Sequence, residues 1–395
     1  MSQSYPYGRH HLDEDDIRAV ADVLRHGWLT QGPKVAEFEQ AIANYVGAKY
    51  AVAVSSGTAA LHLACLAAGI GKGDTVVTSP NTFVASAICA LYVGAEPQFA
   101  DINAATLNID SNELARRCNE LRRVKAIIPV HFGGLPCDMA NIRSIADAAN
   151  SLVIEDAAHA LGAAYPNGRR VGCCAYSDMT IFSFHPVKII ATGEGGMITT
   201  NDETLYRSLL RLRSHGINKS DDPYFQPEQA YTDGELNPWY YEMQEVGFNY
   251  RISDIHCALG LSQFAKLPRF LERRRKLALR YDRIFSEVPN ISPTQIKGRE
   301  QSSHHLYAVR IDFDAIGKSR NAFVRALRER SIFSQVHYIP VHTHPYFRRN
   351  GHQNDRFPVA EAYYRQALSL PLYYALDDRG QDYVADRIKG LLQCN

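Results

Sequence analysis

The chain has 395 residues, of which 46% are hydrophobic and 22% are charged, and its formal net charge is +1. This length fits two domains or one large domain with an appendage, and the composition is typical of a water-soluble globular protein. A nearly neutral chain has no overall field that would recruit nucleic acid or an anionic membrane surface, so we expect neither as a partner. It also lacks an apolar run of the roughly 18 residues that a transmembrane helix needs.

Cysteine usage and the start of the chain indicate the compartment. The eight cysteines are scattered without a C-x-x-C pair, which predicts reduced thiols in a cytoplasmic protein and no metal site. Residues 1–16 are acidic and lack the apolar core of a signal peptide. One local basic cluster is interpreted as the solvated face of a helix and comprises Arg269, Arg273, Arg274, Arg275 and Lys276.

The first half of the chain alternates apolar runs with helical patterns. After an irregular arm at 5–12, helices are predicted at 13–25, 35–46, 58–68, 84–93, 113–121, 140–149 and 204–215. Strands are predicted at 51–54, 75–79, 98–102, 126–130, 152–155, 179–184 and 197–200. This alternation predicts an α/β fold, a mostly parallel sheet with helices on both faces. Ligands bind such sheets beyond the carboxyl ends of the strands, and three candidate groups fall there: Asp156, Ser183 and the turn at 55–58.

The second half has a different pattern. Residues 216–249 are polar and aromatic without a clear period, which in a compact protein indicates a functional loop or an interface. Helices are predicted at 253–266, 269–287, 321–330, 359–368 and 382–392, with strands at 306–313 and 332–336. We therefore divide the chain into an N-terminal arm with a large domain (1–250) and linking helices with a small α+β domain (251–395).

Lys188 is the candidate catalytic residue. It follows the predicted strand at 179–184 and precedes a glycine-rich turn, Thr192-Gly193-Glu194-Gly195-Gly196. Burial disfavours the charged form of a lysine, and the neutral amine can attack a carbonyl to form a Schiff base. Taken alone, such a lysine is more often an ordinary surface residue.

Three further groups make a cofactor site the better interpretation. Ser55-Ser56-Gly57-Thr58 enters a helix, whose free N–H groups and dipole favour a phosphate. Asp156 ends an apolar strand and, if buried, needs a cationic partner such as a protonated pyridine nitrogen. Ser183 adds a hydroxyl donor. An amine, a carboxylate and a phosphate cradle together indicate pyridoxal 5′-phosphate.

Six motifs resemble those of the DegT/DnrJ/EryC1/StrS family of sugar aminotransferases, in family order over nearly the whole chain. The resemblance implies the pyridoxal-phosphate-dependent transferase fold type I (aspartate aminotransferase-like), with a large mostly parallel sheet domain and a small C-terminal α+β domain. The motifs are Ser56-Gly57-Thr58-Ala59-Ala60-Leu61, Pro80-Asn81-Thr82-Phe83, Glu155-Asp156-Ala157-Ala158-His159, Ser183-Phe184-His185-Pro186-Val187-Lys188, Glu194-Gly195-Gly196 and Gly247-Phe248-Asn249-Tyr250-Arg251.

The resemblance also implies roles for cofactor-binding residues. Lys188 would carry the cofactor, Asp156 would pair with the pyridine nitrogen, and His159, where the family often has Gln, would lie near the 3-hydroxyl. The ring and the phosphate would be held by Phe83, Gly57, Thr58 and Ser183. Asn249 is similar to a residue that reaches the phosphate in the other subunit's site, which implies a homodimer with shared active sites. The alternative for Asn249 is a simple loop cap.

Within the family, residues 7–9, 28–33, 238–244 and 335–338 look closest to the UDP-4-amino-4,6-dideoxy-N-acetyl-β-L-altrosamine transaminases of pseudaminic acid biosynthesis. Trp28 by itself could equally be a packing anchor or a ligand platform. The resemblance implies that the nucleotide-sugar is contacted by Tyr7, Trp28, Leu29, Thr30, Gln31, Ser56, Gln335, Val336, His337 and Tyr338.

The expected reaction moves an amino group from L-glutamate to C4 of a UDP-linked 4-keto-6-deoxy-N-acetylhexosamine. One alternative is another sugar transaminase of the family, acting on a 4-amino-4-deoxyarabinose precursor or a 3-keto-sugar. A second is a sugar 3-dehydratase, but those relatives replace the lysine with His, and Lys188 is retained. A third is a non-catalytic regulator that binds the cofactor, against which Lys188, Asp156 and Ser183 all argue.

Overall fold

The computed structural model describes residues 4–121, 123–219 and 222–393. Its strands are β1 (Tyr5–Pro6), β2 (Tyr50–Val54), β3 (Thr75–Thr78), β4 (Glu96–Phe99), β5 (Val124–Ile128), β6 (Leu152–Asp156), β7 (Met179–Ser183), β8 (Gly196–Thr200), β9 (Ile217–Asn218), β10 (Tyr231–Thr232), β11 (Glu235–Leu236), β12 (Glu242–Met243), β13 (Ile291–Pro293), β14 (Tyr307–Ile311), β15 (Ile332–Phe333) and β16 (Ala367–Leu370). Its helices are α1 (Glu14–His26), α2 (Pro33–Val46), α3 (Gly57–Ala67), α4 (Ala85–Tyr92), α5 (Ser111–Glu120), α6 (Met139–Ala148), α7 (Glu203–Arg213), α8 (Pro227–Ala230), α9 (Asp254–Ala265), α10 (Leu267–Phe285), α11 (Arg320–Glu329), α12 (Pro345–Phe347), α13 (Pro358–Gln366) and α14 (Asp378–Gln393).

A seven-stranded sheet with the order β2-β8-β7-β6-β5-β3-β4 forms the centre of the molecule. Only β8 is antiparallel to its neighbours; the other adjacent pairs are parallel. The predicted α/β fold with a mostly parallel sheet is therefore confirmed. The carboxyl ends of β6 and β7 lie side by side, which brings Asp156 and Ser183 to the same edge of the sheet.

Alternate residues of each central strand pack against helices on opposite faces of the sheet. In β2, Ala51 and Ala53 belong to the core beneath α2, whereas Val52 and Val54 belong to the core beneath α3. Because successive side chains of a strand point to opposite faces, a sheet covered on both faces needs continuous apolar runs such as this one. Helix α3 is buried along most of its length, so it is held firmly against the sheet.

A smaller antiparallel sheet, β13-β14-β16, packs with the C-terminal helices. The prediction that Arg274 lies on a solvated helix face was wrong. Arg274 is buried in α10, and its guanidinium donates to the carbonyl oxygens of His304 (3.3 Å), His305 (3.2 Å) and Leu372 (3.0 Å). Burial lowers the pKa of Arg274 to about 10. These bonds satisfy carbonyls that flank β14 and β16, which explains why a cation is tolerated there.

Three local predictions differ from the structure. The arm is not wholly irregular, because Tyr5–Pro6 pairs in parallel with Ile332–Phe333. The helix predicted at 359–368 ends at Gln366, and the chain continues as β16, which completes the small sheet. The stretch at 216–249 contains the short pairs β10–β11 and β9–β12 in its described part. In each case the partner strand is remote or very short, so local periodicity gave no signal.

All seven cysteines within the described residues are free thiols, as predicted; Cys394 lies outside that part of the chain. The described ranges contain no group of three or more His, Cys, Asp or Glu side chains placed to hold a metal ion. They also contain no helix long and apolar enough to cross a membrane.

Candidate active site

A cavity of about 570 Å³ lies at the carboxyl ends of the central strands. Most of the residues predicted from the sequence line it. From the cofactor set these are Gly57, Thr58, Phe83, Asp156, His159, Ser183 and Lys188, and from the substrate set Tyr7, Ser56, Gln335, Val336, His337 and Tyr338. A volume in this range is ordinary for a cofactor or small-ligand site.

Lys188 lies in the loop that joins β7 to β8, where its backbone N–H donates to the carbonyl of His185 at 2.8 Å. Burial lowers the pKa of its ammonium group to about 8, although the nearby Asp156 carboxylate acts in the opposite direction. A substantial fraction of the amine is therefore neutral near physiological pH. A neutral amine in a cavity can act as a nucleophile or accept a proton.

Asp156 ends β6 and is buried, and both of its carboxylate oxygens accept hydrogen bonds. Oδ1 accepts from the backbone N–H of Ala158 at 3.1 Å, and Oδ2 accepts from the Ser86 hydroxyl at 2.7 Å. Sequence reasoning did not find Ser86. The available signal was its position, since Ser86 lies in the predicted helix at 84–93, just after the motif that ends at Phe83.

The N-terminus of α3 forms a cradle that fits a phosphate. Ser56 caps this helix, its Oγ accepting from the Ala59 N–H at 3.0 Å, and a helix leaves its first N–H groups, here those of Gly57 and Thr58, free for an anion. A Cβ on Gly57 would stand 2.9 Å from Cβ of Ser183, and one on Gly196 would stand 2.4 Å from the Ser56 carbonyl. Because both residues are glycines, Gly57 can lie close to Ser183 and Gly196 can lie close to Ser56.

His159 is held as a neutral hydrogen-bond donor. Its Nδ1 accepts from the Gly133 N–H at 3.3 Å, which leaves the proton on Nε2, and Nε2 lies 3.2 Å from the Tyr338 hydroxyl. Burial, and then the charge of Lys188, holds the pKa of His159 well below its usual range. A neutral donor is what an anionic ring oxygen would need here.

The cavity wall opposite the sheet comes from the arm and the segment after β15. The ring of Tyr7 contacts that of His337, with 5.1 Å between centroids, and His337 Nδ1 lies 2.8 Å from the Ser369 hydroxyl. Burial and then the charge of Lys188 lower the pKa of His337 to about 3, and burial raises the pKa of Tyr338. This wall therefore presents neutral polar groups to a ligand.

Five predicted residues lie outside the cavity of this chain. Asn249 is exposed, and so is the loop formed by Trp28, Leu29, Thr30 and Gln31, with Trp28 70% accessible. The loop is anchored on the segment that follows Asn249: Thr30 forms a bridge with Ser253, and the Asp254 N–H donates to the Leu29 carbonyl at 3.1 Å. The loop and the Asn249 segment therefore belong to one surface, and none of these five residues lines this chain's own cavity.

Comparison with known proteins identifies the family of the chain. The sequence model of the DegT/DnrJ/EryC1/StrS aminotransferase family matches residues 10–389. The spore coat polysaccharide biosynthesis protein SpsC of Bacillus subtilis is 40% identical over 390 residues, 98% of this chain and 97% of that protein. The UDP-4-amino-4,6-dideoxy-N-acetyl-β-L-altrosamine transaminase of Campylobacter jejuni is 37% identical over 388 residues, 98% of this chain and 97% of that protein.

Solved structures extend the comparison to the fold. PseC of Helicobacter pylori, an aminotransferase involved in pseudoaminic acid biosynthesis, superposes with a TM-score of 0.88 at 31% identity, covering 99% of this chain and 100% of that one. Streptococcus pneumoniae Spr1654, a putative sugar aminotransferase solved in PLP and PMP forms, gives TM-scores of 0.86 and 0.87 at 30% identity over 99% of this chain and 99% and 98% of those chains.

Fold and site together define a pyridoxal-phosphate-dependent aminotransferase of fold type I. The chain belongs to the DegT/DnrJ/EryC1/StrS family of sugar aminotransferases.

Proposed function

We propose that the protein transfers an amino group from L-glutamate to C4 of a UDP-linked 4-keto-6-deoxy-N-acetylhexosamine, giving UDP-4-amino-4,6-dideoxy-N-acetyl-β-L-altrosamine. The observation that supports this chemistry is that Lys188, whose pKa burial lowers to about 8, and the buried carboxylate of Asp156 line the same cavity. The similarity to the Campylobacter transaminase over nearly the full length supports the choice of sugar. A cytoplasmic location remains a prediction from the cysteines.

Each of several residues that line the cavity has a distinct proposed role. Pyridoxal phosphate, when bound, supplies a reactive carbonyl and an electron-withdrawing ring. The Lys188 amine would hold the cofactor covalently and, when free, would serve as the base that moves a proton. Asp156 would pair with the ring nitrogen, and His159 would donate to the ring oxygen. Phe83 would pack on the ring, and Gly57, Thr58 and Ser183 would hold the phosphate.

Cofactor loading is expected to depend on pH through the Lys188 amine. Only the neutral amine attacks, so with a pKa of about 8 the loading rate of apoprotein rises with pH up to about 8 and then levels off. An ordinary lysine, with a pKa near 10.4, would keep the rate rising beyond pH 9. Stopped-flow absorbance with pyridoxal phosphate measures the profile. Because the Asp156 charge raises the Lys188 pKa, Asp156→Asn should move the midpoint of the pH–rate profile to lower pH. A wild-type loading rate that still rises at pH 9.5 would contradict the lowered pKa of Lys188.

We infer that the active protein is a homodimer with shared sites. This proposal is supported by the exposed surface that carries the Trp28–Gln31 loop and Asn249, since neither contributes to the cavity of its own chain. The stretch before Asn249 also exposes large apolar side chains that an interface would cover, namely Phe225, Trp239, Tyr241, Met243 and Val246. In this arrangement the loop and Asn249 reach the partner's nucleotide-sugar and phosphate.

The choice of sugar is tested by product structure. Loaded enzyme is incubated with L-glutamate and, separately, with UDP-linked 4-keto-6-deoxy-N-acetylhexosamines, 4-keto-arabinose and 3-keto-sugars, and the products are assigned by NMR. We expect a new C–N bond at C4 of the first class and 2-oxoglutarate in equal amount. Amination of only the other sugars would support a different transaminase of the family. Loss of the C3 hydroxyl without amination would indicate a dehydratase, and no turnover of any sugar would favour a regulator.

A further inference from the structure

We infer that Ser86 is a positioning residue for the reaction: through its hydroxyl it keeps the Asp156 carboxylate ionised and oriented, so that the proton stays on the cofactor's ring nitrogen. The inference rests on the role proposed above for Asp156. Ser86 belongs to none of the six motifs from which the site was predicted.

The hydrogen bonds around Ser86 have a defined direction. Ser86 Oγ lies 2.7 Å from Asp156 Oδ2 and 2.8 Å from Thr82 Oγ1, and all three residues are buried. An ionised carboxylate only accepts, so the single Ser86 proton is donated to Asp156 at 2.7 Å rather than to the Phe83 carbonyl at 3.4 Å, and the Thr82 hydroxyl donates to Ser86. The result is a short chain of donors, Thr82 to Ser86 to Asp156, that ends on the carboxylate.

This chain determines where a shared proton resides. Hydrogen bonds donated to a charged group favour its charged form. A carboxylate that already accepts from Ser86 and from the Ala158 N–H competes less well for the proton of a facing pyridinium. Removing the hydroxyl therefore shifts the pair toward a protonated Asp156 and a neutral ring, which is a weaker electron sink.

Ser86 also links the Asp156 carboxylate to Phe83, the residue proposed to pack on the cofactor ring. It lies in the first turn of α4, three residues after Phe83, whose side chain lines the cavity. The backbone N–H of Ser86 donates to the Phe83 carbonyl at 3.3 Å. The turn that leads into α4 therefore joins Phe83 directly to the residue that orients the carboxylate.

The test uses loaded enzyme with cofactor labelled with ¹⁵N in the ring, whose NMR shift reports protonation directly. We expect a protonated nitrogen in wild type, a shift toward the unprotonated form in Ser86→Ala, an intermediate shift in Ser86→Cys, which keeps size but donates weakly, and recovery in Ser86→Thr. Loss of one hydrogen bond to a charged group should lower kcat of Ser86→Ala about 10-fold, with KM changed less than about 3-fold.

Two controls separate this inference from the proposed function. Ser151→Ala removes another buried hydroxyl bond, to the Val124 carbonyl at 2.6 Å, at the far end of β6, so it should leave the ¹⁵N signal unchanged. Asp156→Asn should abolish ring protonation and lower kcat about 100-fold, a figure in the range of a lost transition-state charge contact. An unchanged signal in Asp156→Asn overturns the role of Asp156 itself. A change there with none in Ser86→Ala, in well-folded protein, overturns the inference about Ser86 alone.

Discussion

Lys188→Ala is expected to fold normally and to lose transamination by more than about 1,000-fold, because both covalent attachment and proton transfer depend on the one amine. The side chain lies in the cavity wall, and the backbone hydrogen bond from Lys188 to the His185 carbonyl is kept by alanine. We therefore expect thermal unfolding of the variant apoprotein close to that of wild-type apoprotein. We expect the variant to bind the cofactor through the proposed phosphate cradle and Asp156, but without a covalent link.

Borohydride reduction followed by peptide mapping identifies the lysine directly. In wild type the reduced cofactor should remain on the peptide that contains Lys188, and in Lys188→Ala it should wash away on denaturation. Lys266 offers a matched control, since it is also a buried lysine but is paired with Asp13 and Asp16 outside the cavity. Lys266→Met should retain the label, and a label found on any lysine other than Lys188 would refute the central assignment.

The meeting of Asp156 and Ser183 could be predicted from the sequence because both lie at the ends of strands in a parallel sheet. Strands that alternate with helices in a parallel sheet all end at the same edge, so Asp156 and Ser183 could be placed together without knowing any side-chain contact. The phosphate cradle could likewise be predicted, because its parts, the cap at Ser56 and the glycine at 57, are adjacent in the chain.

Contacts between remote segments were not predictable in this way. The burial of Arg274 depends on carbonyls of His304, His305 and Leu372, which are far away in sequence, and a cluster of basic residues gives no sign of them. The hydrogen bonds of His159 are made with Gly133 and Tyr338, again from separate parts of the chain. Ser86 is intermediate, because its place in the predicted helix at 84–93 was available from the sequence but its hydrogen bond to Asp156 was not.

Mixed dimers test whether Asn249 acts in the site of its own chain or in the partner's site. If Asn249 acts on the partner's phosphate, Asn249→Asp places a carboxylate against that phosphate and should inactivate the homodimer through like-charge repulsion and the lost donor. Lys188→Ala is inactive for its own reason. After subunit exchange, a mixed dimer has one site with both defects and one with neither. Activity should therefore reappear at about half per mixed dimer, or about a quarter of wild type for an equal, random mixture.

A double variant supplies the matched control for that exchange. Chains carrying both Lys188→Ala and Asn249→Asp are mixed with wild type in equal amounts. If sites are shared, each mixed dimer has one site without the lysine and one facing the altered Asn249, so neither works and only wild-type dimers contribute. If each chain builds its own site, every mixed dimer keeps one working site and half the activity remains. Full activity of Asn249→Asp alone, or an inactive exchange mixture, would contradict the shared-site proposal. In either case Asn249 would not act in the partner's site.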